Sequence, residues 1–116
     1  MQRNDRFSSL RHTNEALLAQ GKKLILKSDY AGAESVFKQA LDNWRANSAP
    51  KNEEGRLIIA LGKSYEAQRK YELAYELYME SLNHLTGQTY DEVYSSFLYL
   101  NERMGTFTKK NPTDGP

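Results

Sequence analysis

The sequence predicts an all-α fold, a short α-solenoid of two helical hairpins closed by a fifth, capping helix. Three observations predict it. Apolar residues recur at i, i+3, i+4 and i+7 along most of the chain, the spacing of one helix face. Proline is scarce: two of the three lie in the terminal KKNPTDGP, so Pro50 alone interrupts the stretch from Arg6 to Gly105. The block ALLAQGKKLILKSDYAGAESVFKQAL also matches LIIALGKSYEAQRKYELAYELYMESL at a constant offset of 41 residues, as from Gly21 to Gly62.

The first apolar stripe is Leu10, Leu17, Leu18, Gly21, Leu24 and Ile25. It breaks at Ser28-Asp29, where Asp29 is placed to accept the free N–H groups of a helix starting near Tyr30. The second stripe, Ala33, Val36, Phe37, Ala40, Leu41 and Trp44, carries that helix to about Arg45 and buries Trp44 near the joint. NSAPKN then reads as a loop, with Pro50 suited to the first turn of the next helix. Leu57, Ile58, Leu61, Gly62 and Tyr65 form the third stripe. A joint of only Arg69-Lys70 separates it from the fourth, Tyr71, Ala74, Leu77, Tyr78, Ser81, Leu82 and Leu85. The fifth runs Tyr90, Val93, Tyr94, Phe97, Leu100, Met104, and Thr89 with Glu92 fits a capping box just after Gly87. The segments expected are a flexible N-terminus (1–8), a first repeat (9–47), a second (48–88), a capping helix (89–105) and a disordered tail (106–116).

Seven matched pairs carry the repeat: Gly21 with Gly62, Leu24 with Tyr65, Tyr30 with Tyr71, Ala33 with Ala74, Phe37 with Tyr78, Ala40 with Ser81, and Leu41 with Leu82. The small members have a physical role. Helices approach closely only where side chains are small, so Gly21, Gly62, Ala33, Ala74, Ala40 and Ser81 are the expected contact points, with Phe37 and Tyr78 filling the space beside them. A helical Gly costs about 0.5–1 kcal/mol relative to Ala, which packing must exceed.

Composition narrows function by exclusion. Sixteen basic against fifteen acidic residues leave +1, so no global field draws in nucleic acid or an anionic membrane. A nucleic-acid reading would rest on Arg3, Arg6, Arg11 and His12 with Lys22 and Lys63, and is not expected. The chain has no cysteine, which excludes disulfides and thiolate chemistry. No apolar run is long enough to span a membrane, and MQRNDRFSSLRHTNE lacks the apolar centre of a secretory signal. A soluble cytoplasmic protein is the expectation. His12 and His84 stand apart, and Gly21-Lys22-Lys23 and Gly62-Lys63-Ser64 lie mid-helix without the upstream glycine loop of a phosphate site. No catalytic residue, metal or cofactor is therefore expected, and the chain does not read as an enzyme.

The spacing Leu61, Gly62, Tyr65, Tyr71, Ala74, Tyr78 resembles the tetratricopeptide repeat family, a helix–turn–helix unit of about 34 residues. The first copy matches through Gly21, Tyr30, Ala33, Phe37 and Ala40, with Gln20 and Leu24 replacing the usual Leu and Tyr. The family's late proline is missing from both copies. The likeness covers about Glu15 to Thr86. The longer period resembles a lengthened variant whose extra residues lie in DNWRANSAPKNEEGR.

The resemblance implies a protein–protein interaction module, an adaptor or chaperone whose A helices line a groove for a partner peptide or helix. By register the groove falls on Glu15, Leu18, Lys22, Ile25 and Leu26, then Arg56, Ile59, Lys63, Glu66 and Ala67. Partner binding is expected at Leu18, Lys22, Ile25, Arg56, Ile59, Lys63 and Glu66. Lys22, Lys63 and Arg56 beside apolar Leu18, Ile25 and Ile59 suit an acidic, partly apolar ligand. The chaperone-binding clamp of some family members is not expected, since Leu18, Lys22 and Ala60 occupy its positions. The fifth helix is apolar nearly all round, so Tyr90, Tyr94, Leu98 and Tyr99 form a candidate association surface. The alternative function is accordingly a structural homo-oligomer assembled through that helix or a solenoid end.

Overall fold

The computed structural model describes residues 6–108. Five helices follow one another: α1 (Ser8–Leu26), α2 (Tyr30–Ala46), α3 (Gly55–Ala67), α4 (Tyr71–Leu82) and α5 (Gly87–Thr108). A 3-10 turn, Lys51–Glu53, leads into α3. No strand occurs among the described residues. Each helix packs on the next and α5 also meets α3, giving a short all-α solenoid.

Two boundaries differ from expectation. Helix α1 opens at Ser8, inside the stretch read as a flexible terminus, of which residues 1–5 lie outside the described residues. Helix α5 starts at Gly87, not Thr89, and runs to Thr108, into the stretch read as a disordered tail; residues 109–116 lie outside the described residues. The Thr89–Glu92 capping box does not form. Gly87 takes the left-handed backbone (φ 61°) and begins the helix two residues earlier. Thr89 is then inside the first turn, and its hydroxyl donates to the Asn52 carbonyl at 2.9 Å.

The two hairpins share one turn. Ser28 and Arg69 both adopt left-handed backbone, φ 62° and 63°. Asp29 N–H donates to the Leu24 carbonyl and Lys70 N–H to the Tyr65 carbonyl, each at 2.8 Å. The residue before each donates to Ile25 (2.8 Å) and Glu66 (2.9 Å). This paired pattern ends a helix by satisfying its last carbonyls. Helix α2 ends the same way, with Ser48 at φ 50°. After the first turn, Asp29 accepts from Gly32 N–H at 2.9 Å, capping α2.

Inside each hairpin a ring sits on a glycine. A Cβ added at Gly21 would overlap the Phe37 ring, and one at Gly62 would overlap Tyr78. Ala33, Ala40, Ala74 and Ser81 are fully buried along the same contacts. The sequence register is thus realised in space at both hairpins.

Polar ties hold one hairpin to the next. Trp44 Nε1 donates to the Pro50 carbonyl at 2.9 Å, fixing the joint. Glu54, the residue before α3, is buried and ion-paired with Arg45 of α2. The same guanidinium donates to Ser81 Oγ of α4 at 3.1 Å. Farther along, Glu34 accepts from Gln68 Nε2 (2.7 Å) and Lys70 Nζ (3.1 Å). Burial pushes the Glu34 carboxyl pKa up, but those donors outweigh it and hold it below the ordinary carboxylate range.

Overpacking a hairpin contact should be costly. Gly62→Leu and Ala74→Leu are each expected to lower unfolding free energy by about 1–3 kcal/mol. Urea melts at fixed pH check this, and unchanged midpoints would contradict the contact. The left-handed turn residues predict the opposite sign: Ser28→Gly and Arg69→Gly are each expected to stabilise by about 0.5–1 kcal/mol, because glycine removes the Cβ penalty of that backbone. Loss of stability in both variants would show that the native side chains contribute more than the strain.

Candidate functional site

Helices α1 and α3 face each other across an open cleft of about 590 Å³, closed at its far side by the α4–α5 connection. Leu18, Trp44 and Leu57 supply its apolar floor. Arg11, Asn14 and Glu15 line it from α1, Asn52, Glu53 and Arg56 from the other wall, and Thr86–Thr89 with Glu92 from the start of α5.

Charge is paired across this cleft. Arg11 holds Glu53 in a two-pronged bond, Nε to Oε1 and Nη2 to Oε2, each 2.7 Å. Arg56 Nη2 reaches Glu15 Oε2 at 2.6 Å. Glu15 and Arg56 are repeat equivalents, separated by 41 residues. One register therefore brings opposite charges to the same level of α1 and α3. On the third wall Gln88 Nε2 donates to Glu92 Oε2 at 3.0 Å. Exposed and half-buried pairs of this kind orient side chains more than they stabilise the fold.

Asn14 is different. It is only 5% exposed, and its Oδ1 meets no donor among the described residues and no solvent. A buried acceptor without a partner costs about 1–3 kcal/mol.

The expected groove residues separate into three pairs and Glu66. Leu18 and Arg56 line the cleft, Leu18 as buried floor rather than exposed contact. Lys22 and Lys63 are exposed and lie one or two turns farther along the same two helices. Ile25 and Ile59 are half-buried against the core. Glu66 is a correction. It is 7% exposed, accepting from the Tyr78 hydroxyl at 3.1 Å and from Arg103 Nη1 at 3.2 Å. Its neighbours occupy both carboxylate oxygens, so it holds α3 to α4 and α5. Burial first, and the Glu66 charge second, push ionisation of the Tyr78 hydroxyl well above the ordinary range.

Trp44, Asn52, Gln88 and Thr89 were not legible as site residues. They lie at or beside the joints, Trp44 at the end of α2, Asn52 in the turn before α3, and Gln88 and Thr89 at the start of α5, and only the turn at Gly87 and the path of the loop before α3 bring them to α1. The candidate association surface also divides. Tyr90 and Tyr94 stack at 5.7 Å, and Leu98 follows one turn later. Tyr99 lies off that line, beside the Arg103 guanidinium at 5.8 Å. Of the cationic residues considered for nucleic acid, Arg11 is committed to Glu53, Arg6 lies over the Phe7 ring at 4.9 Å, and Arg3 is outside the described residues. Among the described residues no three His, Asp or Glu side chains converge as a metal would require. No helix among them is long and apolar enough to cross a membrane.

No protein-family model matches the chain, and no curated protein matches it in sequence.

The orphaned acceptor gives a direct test. Asn14→Leu keeps the branched shape, places its extra bulk toward the open cleft and removes the unpaired oxygen, and is expected to raise unfolding free energy by about 1 kcal/mol. Thermal and urea unfolding measure it. A comparable loss would show that the carboxamide is engaged in solution.

Proposed function

We propose that this chain is a protein-binding module of the tetratricopeptide kind, an adaptor or chaperone-like protein rather than a catalyst. It holds a partner's peptide or helix along the face shared by α1, α3 and the start of α5. The observation that carries this reading is the cleft itself: an apolar floor of Leu18, Trp44 and Leu57 beneath a rim of oriented charged and amide side chains. Ligand sites commonly combine an apolar floor with a few fixed polar groups.

The ligand's character follows from what the rim leaves available. Arg11 and Arg56 already face Glu53 and Glu15, so the cleft selects an apolar side chain rather than a charge. Lys22 and Lys63, beyond it on the same helices, are exposed. A peptide placing an apolar residue on the floor and an acidic residue one or two turns along matches both features. The groove's paired hairpins, the glycine–ring contacts and the 41-residue register support the tetratricopeptide reading.

The single tryptophan lies in the cleft floor, so binding should be visible in its emission. A partner captured from the native host is expected to shift Trp44 fluorescence. The double variant Lys22→Glu/Lys63→Glu is expected to lose that partner while melting within about 2 °C of the parent, since both lysines are surface residues. Normal capture by the double variant would reject the groove assignment.

A further inference from the structure

We propose that the open end of the solenoid, between α4 and α5, is a second docking surface, for an amphipathic helix of another protein whose apolar stripe is flanked by Lys or Arg. The surface is distinct from the α1/α3 cleft. Tyr75 of α4 meets Phe97 of α5, ring centroids 5.3 Å apart, and Phe97 meets Tyr94 at 6.2 Å. Met79 lies one turn beyond Tyr75 on the same side of α4, and Leu98 one turn beyond Tyr94 on α5. Met79 is 44% exposed, Tyr94 40% and Leu98 47%. Two adjacent helices thus present one continuous apolar trough, uncovered among the described residues.

Charge selects the occupant. Helix α4 contains no Lys or Arg, and α5 contains only Arg103, which is turned to Glu66 and the Tyr71 hydroxyl. The exposed charged residues flanking the trough are acidic. Glu72 and Glu76 lie seven and three residues before Met79, and Asp91 three before Tyr94. A helix with a basic margin meets these carboxylates favourably. A second copy of the same trough would set acid against acid. The opposite end is also a poor fit: the outward residues Ala16, Gln20 and Lys23 of α1 are small, polar or basic, and Leu26 at the helix end is a single exposed apolar side chain rather than a stripe. Residues 109–116, KKNPTDGP, likewise hold none. A separate amphipathic basic helix is the occupant that satisfies both the apolar and the charge requirement.

The test uses the full chain and three labelled peptides of about 18 residues, long enough to form a helix. One has Leu on a single helical stripe with Lys elsewhere. The second replaces Lys by Glu. The third keeps the first composition with the stripe scrambled. Fluorescence anisotropy is expected to show binding of the first peptide at least tenfold tighter than of the other two. Leu98→Ser and, independently, Tyr94→Ser should each weaken it about tenfold while circular dichroism at the assay temperature still shows the folded helical chain. Glu72→Lys/Glu76→Lys should reverse the preference toward the Glu peptide. Lys22→Glu/Lys63→Glu should leave it intact, separating this surface from the groove. Equal binding of striped and scrambled Lys peptides would overturn the proposal. So would sedimentation showing a concentration-dependent dimer that Leu98→Ser dissolves, since the occupant would then be a second copy.

Discussion

An aromatic ring lying on a glycine is the contact on which this fold depends. Phe37 covers Gly21 and Tyr78 covers Gly62, with no room for a Cβ at either glycine. Each contact brings two helices close enough for Ala33, Ala40, Ala74 and Ser81 to be sealed completely. Burying those rings recovers more than the conformational cost of a helical glycine. Tyr78 adds what Phe37 cannot. Its hydroxyl passes the glycine and reaches Glu66, which also holds Arg103. The second hairpin is therefore anchored to α5 through the same ring that closes it.

The joint between hairpins does the second task. Extra residues between α2 and α3 allow Trp44 to fold under Pro50, and Arg45 to join Glu54 and Ser81. Ion pairing compensates part of the desolvation of Glu54, one of whose oxygens has no donor. The same segment forms part of the cleft through Trp44, Asn52 and Glu53. Architecture and candidate site thus share residues, and the cleft is a consequence of how the hairpins are spaced.

A net charge near zero conceals an uneven distribution. Helix α1 is predominantly basic, and α4 with α5 predominantly acidic. The two ends of the solenoid differ in polarity as well. Apart from Leu26 at its end, the outward side of α1 is small and polar, whereas the trough of α4 and α5 is aromatic and aliphatic. The proposed groove and the open end therefore differ in both charge and apolar character within one small chain.

Helical spacing, the two tight joints and the 41-residue repeat determined the order of helices and the glycine–ring contacts, because these depend on residues close in sequence or on size-matched faces. Asp29 as a cap and Trp44 as a buried joint residue were legible for the same reason. Glu66 was not: its position on α3 reads as groove, and only the arrival of Tyr78 and Arg103 from two other helices makes it a buried anchor. Nor was the cleft, whose walls come from α1, the loop before α3 and the turn at Gly87. Periodicity specifies which face of a helix is buried. Which charges meet across two faces, and which apolar stripe remains uncovered, depends on the relative placement of helices, and only the tertiary structure decided that.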